Sequence, residues 1–176
     1  MASHLELAVG YLLGATRAVE PRLLSRPTPC ARWDLRLLLR HTADSLDALC
    51  ELLDGRGEAP DHVDPASAVR SSAWRLLGVA GAAAERPVPI GDQLLMSGIV
   101  VWTGALEIAA HAWDIGQTCG TRHPVPRALA DDLLCVAPAL ISAEDRVSQF
   151  AEPVDVPRGL TSSDRLVAFL GRRPAA

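Results

Sequence analysis

Apolar residues recur along this chain at the spacing of amphipathic helices. Near its start, Leu5, Ala8, Val9 and Leu12 follow the i, i+3, i+4, i+7 pattern that places apolar side chains on one face of a helix. The same periodicity runs through residues 34–54, where leucines dominate. The pattern and its interruptions predict helices over five segments, which are Ser3 to Arg22, Asp34 to Asp54, Pro65 to Glu85, Gln93 to Cys119 and Pro126 to about Glu144.

Proline, glycine and a capping aspartate mark the ends of these segments. Pro21 and Gly55 are expected to end the first two helices, and Gly120 is expected to end the fourth. Asp92 can cap the start of the fourth helix, and Pro126 can occupy the first turn of the fifth. Strand-like alternation is scarce. Helices with one apolar stripe and short connections pack as antiparallel neighbours, so we expect an all-α helical bundle.

Size and charge narrow the class of protein. A chain of 176 residues, 49% of them hydrophobic, can bury one substantial core, which predicts a single domain over residues 1–176. The net charge of −4 and the absence of a basic run argue against a nucleic-acid partner. No apolar stretch is long enough to span a bilayer, and Met1 to Glu6 lacks the features of a signal peptide. We therefore expect a cytoplasmic protein that acts on a small molecule.

Cysteine and lysine usage exclude several kinds of chemistry. The four cysteines are widely spaced, with no C-x-x-C motif, and are expected to be buried free thiols: Cys30, Cys50, Cys119 and Cys135. All 17 basic residues are arginine, so Schiff-base and lysine-base mechanisms are excluded. Arg172 and Arg173 lie near the end of the chain, where arginines are usually exposed, and are expected to be solvated.

The candidate chemistry begins with Glu107 and His111, which stand four residues apart in the fourth predicted helix. A helix places their side chains one turn apart on one face, an arrangement in which both can bind the same metal ion. Spacing alone fits a hydrogen-bonded surface pair at least as well, but the apolar sequence around them leaves little room for solvent. His41 in the second helix is a possible third ligand, and the alternative for a lone histidine beside leucines is a half-buried residue with ordinary partners.

Two aspartates are placed to orient the histidines. Asp114 follows His111 by three residues, and Asp44 follows His41 by the same interval. In a helix either carboxylate could accept the second ring N–H of its histidine. Helix capping or surface ion pairing is the alternative for both.

Three sequence elements together resemble a known family. The segment from Thr28 to His41 fits T-P-C-x-x-W-x-h-x-x-L-L-x-H, where h is apolar, and Glu107 to Ile115 fits E-x-x-x-H-x-W-D-h. The tail, residues 150–154 and 164–174, is similar to the ending of a short subgroup. The chain is identified as a member of the DinB-like superfamily, in the branch of mycothiol-dependent maleylpyruvate isomerase-like metal-binding proteins.

This resemblance implies a fold and a ligand set. The fold is a four-helix bundle, here with an additional C-terminal helix and tail. Near one end of the bundle, His41, Glu107 and His111 would hold a divalent metal, zinc or nickel, as a His2Glu site that leaves a coordination position open. The family's recurrent Trp-Asp pair favours Asp114 over Asp44 as the residue that orients a ligand. Homodimers are common among such proteins.

The resemblance also implies a class of reaction. Characterised relatives use a low-molecular-weight thiol such as mycothiol or bacillithiol for S-transfer or thiol-assisted isomerisation, and a metal with an open position can lower the pKa of such a thiol. The maleylpyruvate isomerase itself has a second, C-terminal α/β domain that supplies substrate-binding residues, whereas a short tail is expected here, so activity on maleylpyruvate itself is not expected. The alternatives are a metal-binding module without catalysis, or a bundle that has lost its metal and does other chemistry in the same pocket.

Overall fold

The chain is mainly helical in the computed structural model, which describes residues 3–30, 33–54, 64–80, 85–141, 146, 150–157 and 159–174. The α-helices are α1 His4–Thr16, α2 Leu35–Asp54, α3 Pro65–Ala80, α4 Ser97–Cys119, α5 Arg127–Leu140 and α6 Ser162–Phe169. A short 3-10 helix spans Pro21–Leu23, and strands β1 Pro87–Ile90 and β2 Gln93–Met96 form an antiparallel hairpin. The prediction of an all-α fold is confirmed. No helix in the described ranges is both long and apolar enough to cross a membrane.

Four of the helices form a closed ring around the core. α1 packs against α3 and α4, and α2 packs against the same two helices on the other side. Their apolar stripes meet in one hydrophobic cluster that also includes residues of α5 and α6. This packing places α2 beside α4, so residues far apart in the chain, such as Ser45 and Glu107, can meet.

A capping box explains where the first helix begins. Ser3 caps α1 by accepting a hydrogen bond from the Glu6 amide, and the Glu6 side chain accepts one from the Ser3 amide. α1 ends at Thr16, earlier than the predicted stop near Pro21. Glu20, the residue before that proline, is extended, as the proline ring favours. The predicted stop of α2 at Gly55 lies outside the described residues.

The start of the fourth helix was predicted wrongly. Residues 93–96 form strand β2, and Asp92 lies in the hairpin turn instead of capping a helix. Gly91, with φ of 59°, supplies a left-handed backbone that glycine adopts without strain. The buried side chain of Val88 anchors the hairpin to the core, and α4 begins at Ser97. Gly120, with φ of 81°, ends α4 as predicted.

A glycine sets the separation of α2 and α4 near the candidate site. A methyl group at Gly104 would lie 2.8 Å from Cδ1 of Leu49, closer than carbon atoms pack. The two helices therefore approach at Gly104, one turn before Glu107 on α4. This close approach brings the site-facing sides of both helices within reach of each other.

The C-terminal segment packs back onto the bundle. α5 begins after Pro126, which occupies the N-cap position and not the first turn, and it packs against α1, α4 and α6. The helix ends at Leu140, since Ile141 is already extended, and therefore stops short of the predicted end near Glu144. The segment from 150 onward pairs with α6 through a hydrogen bond from the Val154 amide to the Ala168 carbonyl. Gly171, with φ of 80°, passes so close to Ala151 that a side chain there would lie 2.7 Å from the Ala151 carbonyl oxygen.

The cysteines are free, as predicted, but only one is buried. Cys50 lies in the core, Cys30 and Cys119 are partly exposed, and Cys135 is exposed on α5. The prediction that all four are buried is therefore wrong. Cys135 lies on the outer side of its helix, whereas Leu129, Leu133 and Ala137 form the inner face.

Candidate metal centre

Three side chains from two helices converge between α2 and α4. Nε2 of His41 lies 3.2 Å from Oε1 of Glu107, and Nε2 of His111 lies 3.7 Å from the same oxygen. One donor atom from each residue lies within 4.8 Å of the other two. The Glu107–His111 pair comes from helix periodicity, while His41 arrives through the packing of α2 on α4.

The spacing of these atoms suits a tetrahedral metal. Ligand atoms that bind zinc at 2.0–2.1 Å in a tetrahedral site lie roughly 3.3 Å from one another. The separations of 3.2 and 3.7 Å are close to that value. Within the described part of the chain, no fourth histidine, cysteine or carboxylate joins the cluster. The donor set therefore fits a three-ligand site.

The site is open on one side. The side chains of His41 and Glu107 are 41% and 35% exposed, whereas that of His111 is 9% exposed. Small molecules can therefore approach from the His41 side, and His111 forms the inner wall.

Glu107 is held in its charged form. Burial alone would raise its pKa, but His111, His41 and a hydrogen bond from Ser45 outweigh burial and hold the pKa well below its usual range. Ser45 Oγ lies 2.7 Å from Oε1 of Glu107 and 3.5 Å from Nε2 of His41. Sequence reasoning missed Ser45, although its position four residues after His41 on α2 places it on the same helix face.

His111 is almost fully enclosed, and one of its ring nitrogens has no hydrogen-bond partner among the residues that the structure describes. Nδ1 lies 3.8 Å from Oδ2 of Asp114, which is too long for a hydrogen bond but close enough for electrostatic attraction. Burial works to lower the pKa of His111, yet the carboxylates of Asp114 and Glu107 raise it above its ordinary value. Asp114 thus lies where it can interact with His111, as its spacing suggested.

The second aspartate lies elsewhere. Asp44 is exposed on α2 and, in the part of the chain that the structure describes, forms no hydrogen bond or ion pair with His41. An offset of three residues turns a helix by about 300°, so the direction of the His41 ring decides whether the two side chains meet. Here that ring points toward Glu107 and Ser45. The prediction that Asp44 orients His41 is therefore not supported by the geometry.

Arg172 is buried, against expectation. It is 7% exposed, and its guanidinium forms two hydrogen bonds to Asp114, Nη2 to Oδ2 at 2.9 Å and Nε to Oδ1 at 3.3 Å. A buried carboxylate needs a partner, and Asp114 is completely buried. Arg173, in contrast, is exposed as predicted.

Trp33 borders the candidate site, and Cys30 feels the charges of Asp114 and Arg172 next to it. The Trp33 ring stands edge-on to His41, with centroids 4.6 Å apart, while Trp113 is a core residue. Burial raises the pKa of the Cys30 thiol, the Asp114 charge raises it further, and Arg172 works in the opposite direction. Trp33 packs against the core and, through its contact with His41, also lies at the edge of the site.

A separate cavity of about 490 Å³ lies between α1 and α4. Its lining includes Tyr11, Ala112 and Gly116, but none of the three donor residues. The Tyr11 hydroxyl donates to the His123 carbonyl at 2.7 Å, and burial followed by the Asp114 charge raises its pKa. The cavity therefore lies on a different side of α4 from the candidate metal ligands.

Comparison with known proteins identifies the family of the chain. Two uncharacterised proteins of Mycobacterium tuberculosis, from strains CDC 1551 / Oshkosh and H37Rv, are each 26% identical to it over 172 residues, which cover 94% of this chain and 92% of theirs. No solved structure matches it significantly. Residues 5–95 match the mycothiol maleylpyruvate isomerase N-terminal domain, a range that contains His41 and ends before Glu107. The chain therefore belongs to the family of that domain, which is a DinB-like superfamily domain.

Proposed function

We propose that this protein is a metal-dependent enzyme that joins a low-molecular-weight thiol to an electrophilic metabolite or uses the thiol to assist an isomerisation. The observation that carries the proposal is the convergence of His41, Glu107 and His111 on one point with an exposed side. A divalent metal held there, zinc or nickel, would supply a Lewis acid that lowers the pKa of a thiol or water at its open position.

The side chains around this point have separable tasks. Glu107 is charged and accepts from Ser45, which orients its carboxylate toward both histidines. His111 forms the enclosed wall, and the exposed edge of His41 lies beside the Trp33 ring. An electrophile with an apolar body could pack against Trp33 while its reactive carbon faces the thiol.

The thiol in this proposal is a co-substrate and not a residue of the chain. Burial raises the pKa of Cys30, so this cysteine is mainly protonated at neutral pH and is a weak nucleophile. Mycothiol is the first candidate, because the family is described by a mycothiol-dependent isomerase. In S-transfer the thiol sulfur bonds to the electrophilic carbon, the leaving group departs with its electron pair, and the thiol proton passes to solvent.

Metal binding is tested first. Protein without a His-tag is stripped with a chelator, loaded with zinc or nickel, dialysed, and its metal content measured by mass spectrometry. We expect about one metal ion per chain in the wild type, and a clear loss in His41→Ala and Glu107→Gln. His123→Ala is the control, because His123 is exposed and outside the site. Unchanged metal content in both site variants would exclude the triad.

Catalysis is tested separately, with monobromobimane as the electrophile and mycothiol, bacillithiol or glutathione as the thiol. The rate of fluorescent thioether formation above the uncatalysed reaction is compared for metal-loaded, stripped and Glu107→Gln protein. We expect acceleration only in the metal-loaded wild type. Metal binding without acceleration over a panel of thiols and electrophiles would favour a non-catalytic metal-binding module.

A further inference from the structure

Arg172 connects the C-terminal segment to the inner wall of the candidate metal site. Its guanidinium binds Asp114 with two hydrogen bonds, although the residues are 58 positions apart. Both side chains are excluded from solvent. A planar fork that meets a carboxylate with two bonds fixes its orientation as well as its position.

The orientation of Asp114 matters because of what lies on its other side. Oδ2, which accepts the shorter bond from Arg172, is also the oxygen 3.8 Å from Nδ1 of His111. The opposite ring nitrogen, Nε2, faces Glu107 and the candidate metal position. A small rotation of the Asp114 carboxylate would therefore change the electrostatic environment of the buried edge of the His111 ring.

We infer that Arg172 is a positioning residue for the metal site: it fixes the Asp114 carboxylate, whose electrostatic attraction for the buried edge of His111 favours the ring orientation that binds metal, and so links docking of the C-terminal segment to metal affinity. This inference rests on the proposed metal site. Linkage is reciprocal, so a docked segment that strengthens metal binding must itself be stabilised by the metal.

A purely structural role for Arg172 must be distinguished from this one. Nη1 of Arg172 donates to the Leu170 carbonyl at 2.8 Å, and its amide donates to the Val167 carbonyl, so the residue also secures the end of α6. Loss of its side chain leaves Asp114 buried without its partner and will lower stability in either case. The informative measurement is metal affinity.

The experiment compares zinc affinities, by competition with a chromophoric chelator, of wild type, Arg172→Met, Arg172→Lys and Arg173→Met. Changes beside metal-ligating histidines weaken binding by about 10–100-fold, and we expect that loss for Arg172→Met. Arg172→Lys keeps the charge but not the fork, so a smaller loss is expected. Arg173→Met is the matched control, because Arg173 is the exposed neighbour, and should bind as wild type.

Hydrogen exchange provides a second measurement. The amides of Leu170 and Arg172 donate to carbonyls of α6 and report whether the segment is docked. Zinc should slow their exchange more in the wild type than in Arg172→Lys, because the intact fork links the segment to the metal site. A purely structural role leaves zinc affinity unchanged, so zinc would then slow exchange to the same extent in both proteins.

The outcomes separate the inference from the proposal on which it rests. Wild-type zinc affinity in both Arg172 variants, with lower resistance to urea, would overturn the inference and leave the metal site intact. If Arg172→Met does not fold, Arg172→Lys decides the question. A wild-type protein that binds neither zinc nor nickel would overturn both the inference and the proposed function.

Discussion

Ser45 on α2 donates a 2.7 Å hydrogen bond to Glu107 on α4, to the carboxylate oxygen that faces both candidate histidine ligands. This bond joins the two helices at the site. It also restrains the rotation of the carboxylate, which would otherwise be free on its exposed side.

Replacing Ser45 with alanine should weaken both the fold and the site. A hydrogen bond of this kind contributes about 1 kcal/mol to stability, so we expect a loss of that order in urea unfolding of the metal-free protein. Zinc affinity should fall roughly tenfold, because Glu107 is no longer oriented. Asp44→Asn is the matched control, since Asp44 is the exposed preceding residue. A Ser45→Ala protein with wild-type zinc affinity would contradict the orienting role.

Stability of the metal-free protein should depend on pH through Glu107 and His111. The pKa of Glu107 is below its ordinary value of 4.5, so its contribution is present above pH 4.5 and is lost as the pH falls toward the lowered pKa. The pKa of His111 is above 6.5, so its contribution is full below pH 6.5 and is lost as the pH rises through the raised pKa. The pair should therefore stabilise the fold most between pH 4.5 and 6.5.

Bound metal should reverse the loss of stability that the metal-free protein shows at alkaline pH. Ligands must lose their protons to bind zinc, so zinc-loaded protein should gain stability above pH 6.5, where chelator-treated protein loses it. Urea midpoints measured from pH 4 to 8.5 test this, and the difference between wild type and Glu107→Gln isolates the pair. If that difference grows above pH 6.5 without metal, the assigned pKa directions are wrong.

Because α2 and α4 approach closely at Gly104, a larger side chain there should affect zinc binding although Gly104 is not a ligand. Valine at this position would displace Leu49 and force α2 and α4 apart, at a cost of about 1–3 kcal/mol. Zinc affinity should fall as well, because His41 is on α2. Leu49→Ala should recover part of both losses in a double-mutant cycle.

Gly78 provides the control for Gly104. It lies on α3 with open space around its Cβ direction, so Gly78→Ala should leave metal binding unchanged and stabilise the helix by up to about 1 kcal/mol. If the effects of Gly104→Val and Leu49→Ala on stability and zinc affinity simply add, the contact between these two residues does not set the separation of α2 and α4.

Thiol reactivity should follow exposure. Cys135 is exposed, while burial raises the pKa values of Cys30, Cys50 and Cys119. In native protein at pH 8, one fast phase with a disulfide reagent is expected, and Cys135→Ser should remove it. In urea all four thiols should react alike. A fast phase that persists in Cys135→Ser would place a reactive thiolate at one of the other three positions.

Local pattern predicted most of the helical core but failed at the hairpin. The periodic leucines of α2 and the glycine that ends α4, Gly120, could be recognised in the sequence, because both signals are local. The hairpin was missed because residues 93–96 resemble the apolar start of α4. Only pairing with the strand before Gly91 separates them from that helix.

The candidate site divides in the same way. Glu107, His111 and Asp114 share one helix, so their relation follows from spacing. His41 needed the family resemblance, because helix packing and not sequence distance brings it to Glu107. Arg172 was expected to be solvated, since no local signal pairs it with an aspartate 58 residues earlier.

The tight crossing of Gly171 over Ala151 makes the spacing of the C-terminal segment as important as its composition. The left-handed backbone there and the carbonyl 2.7 Å from a would-be side chain require glycine at the position that leads directly into Arg172. One residue inserted or deleted between Phe169 and Arg172 would turn the guanidinium away from Asp114. Alignments and tail exchanges between relatives should therefore keep this interval free of gaps, even where the surrounding residues differ.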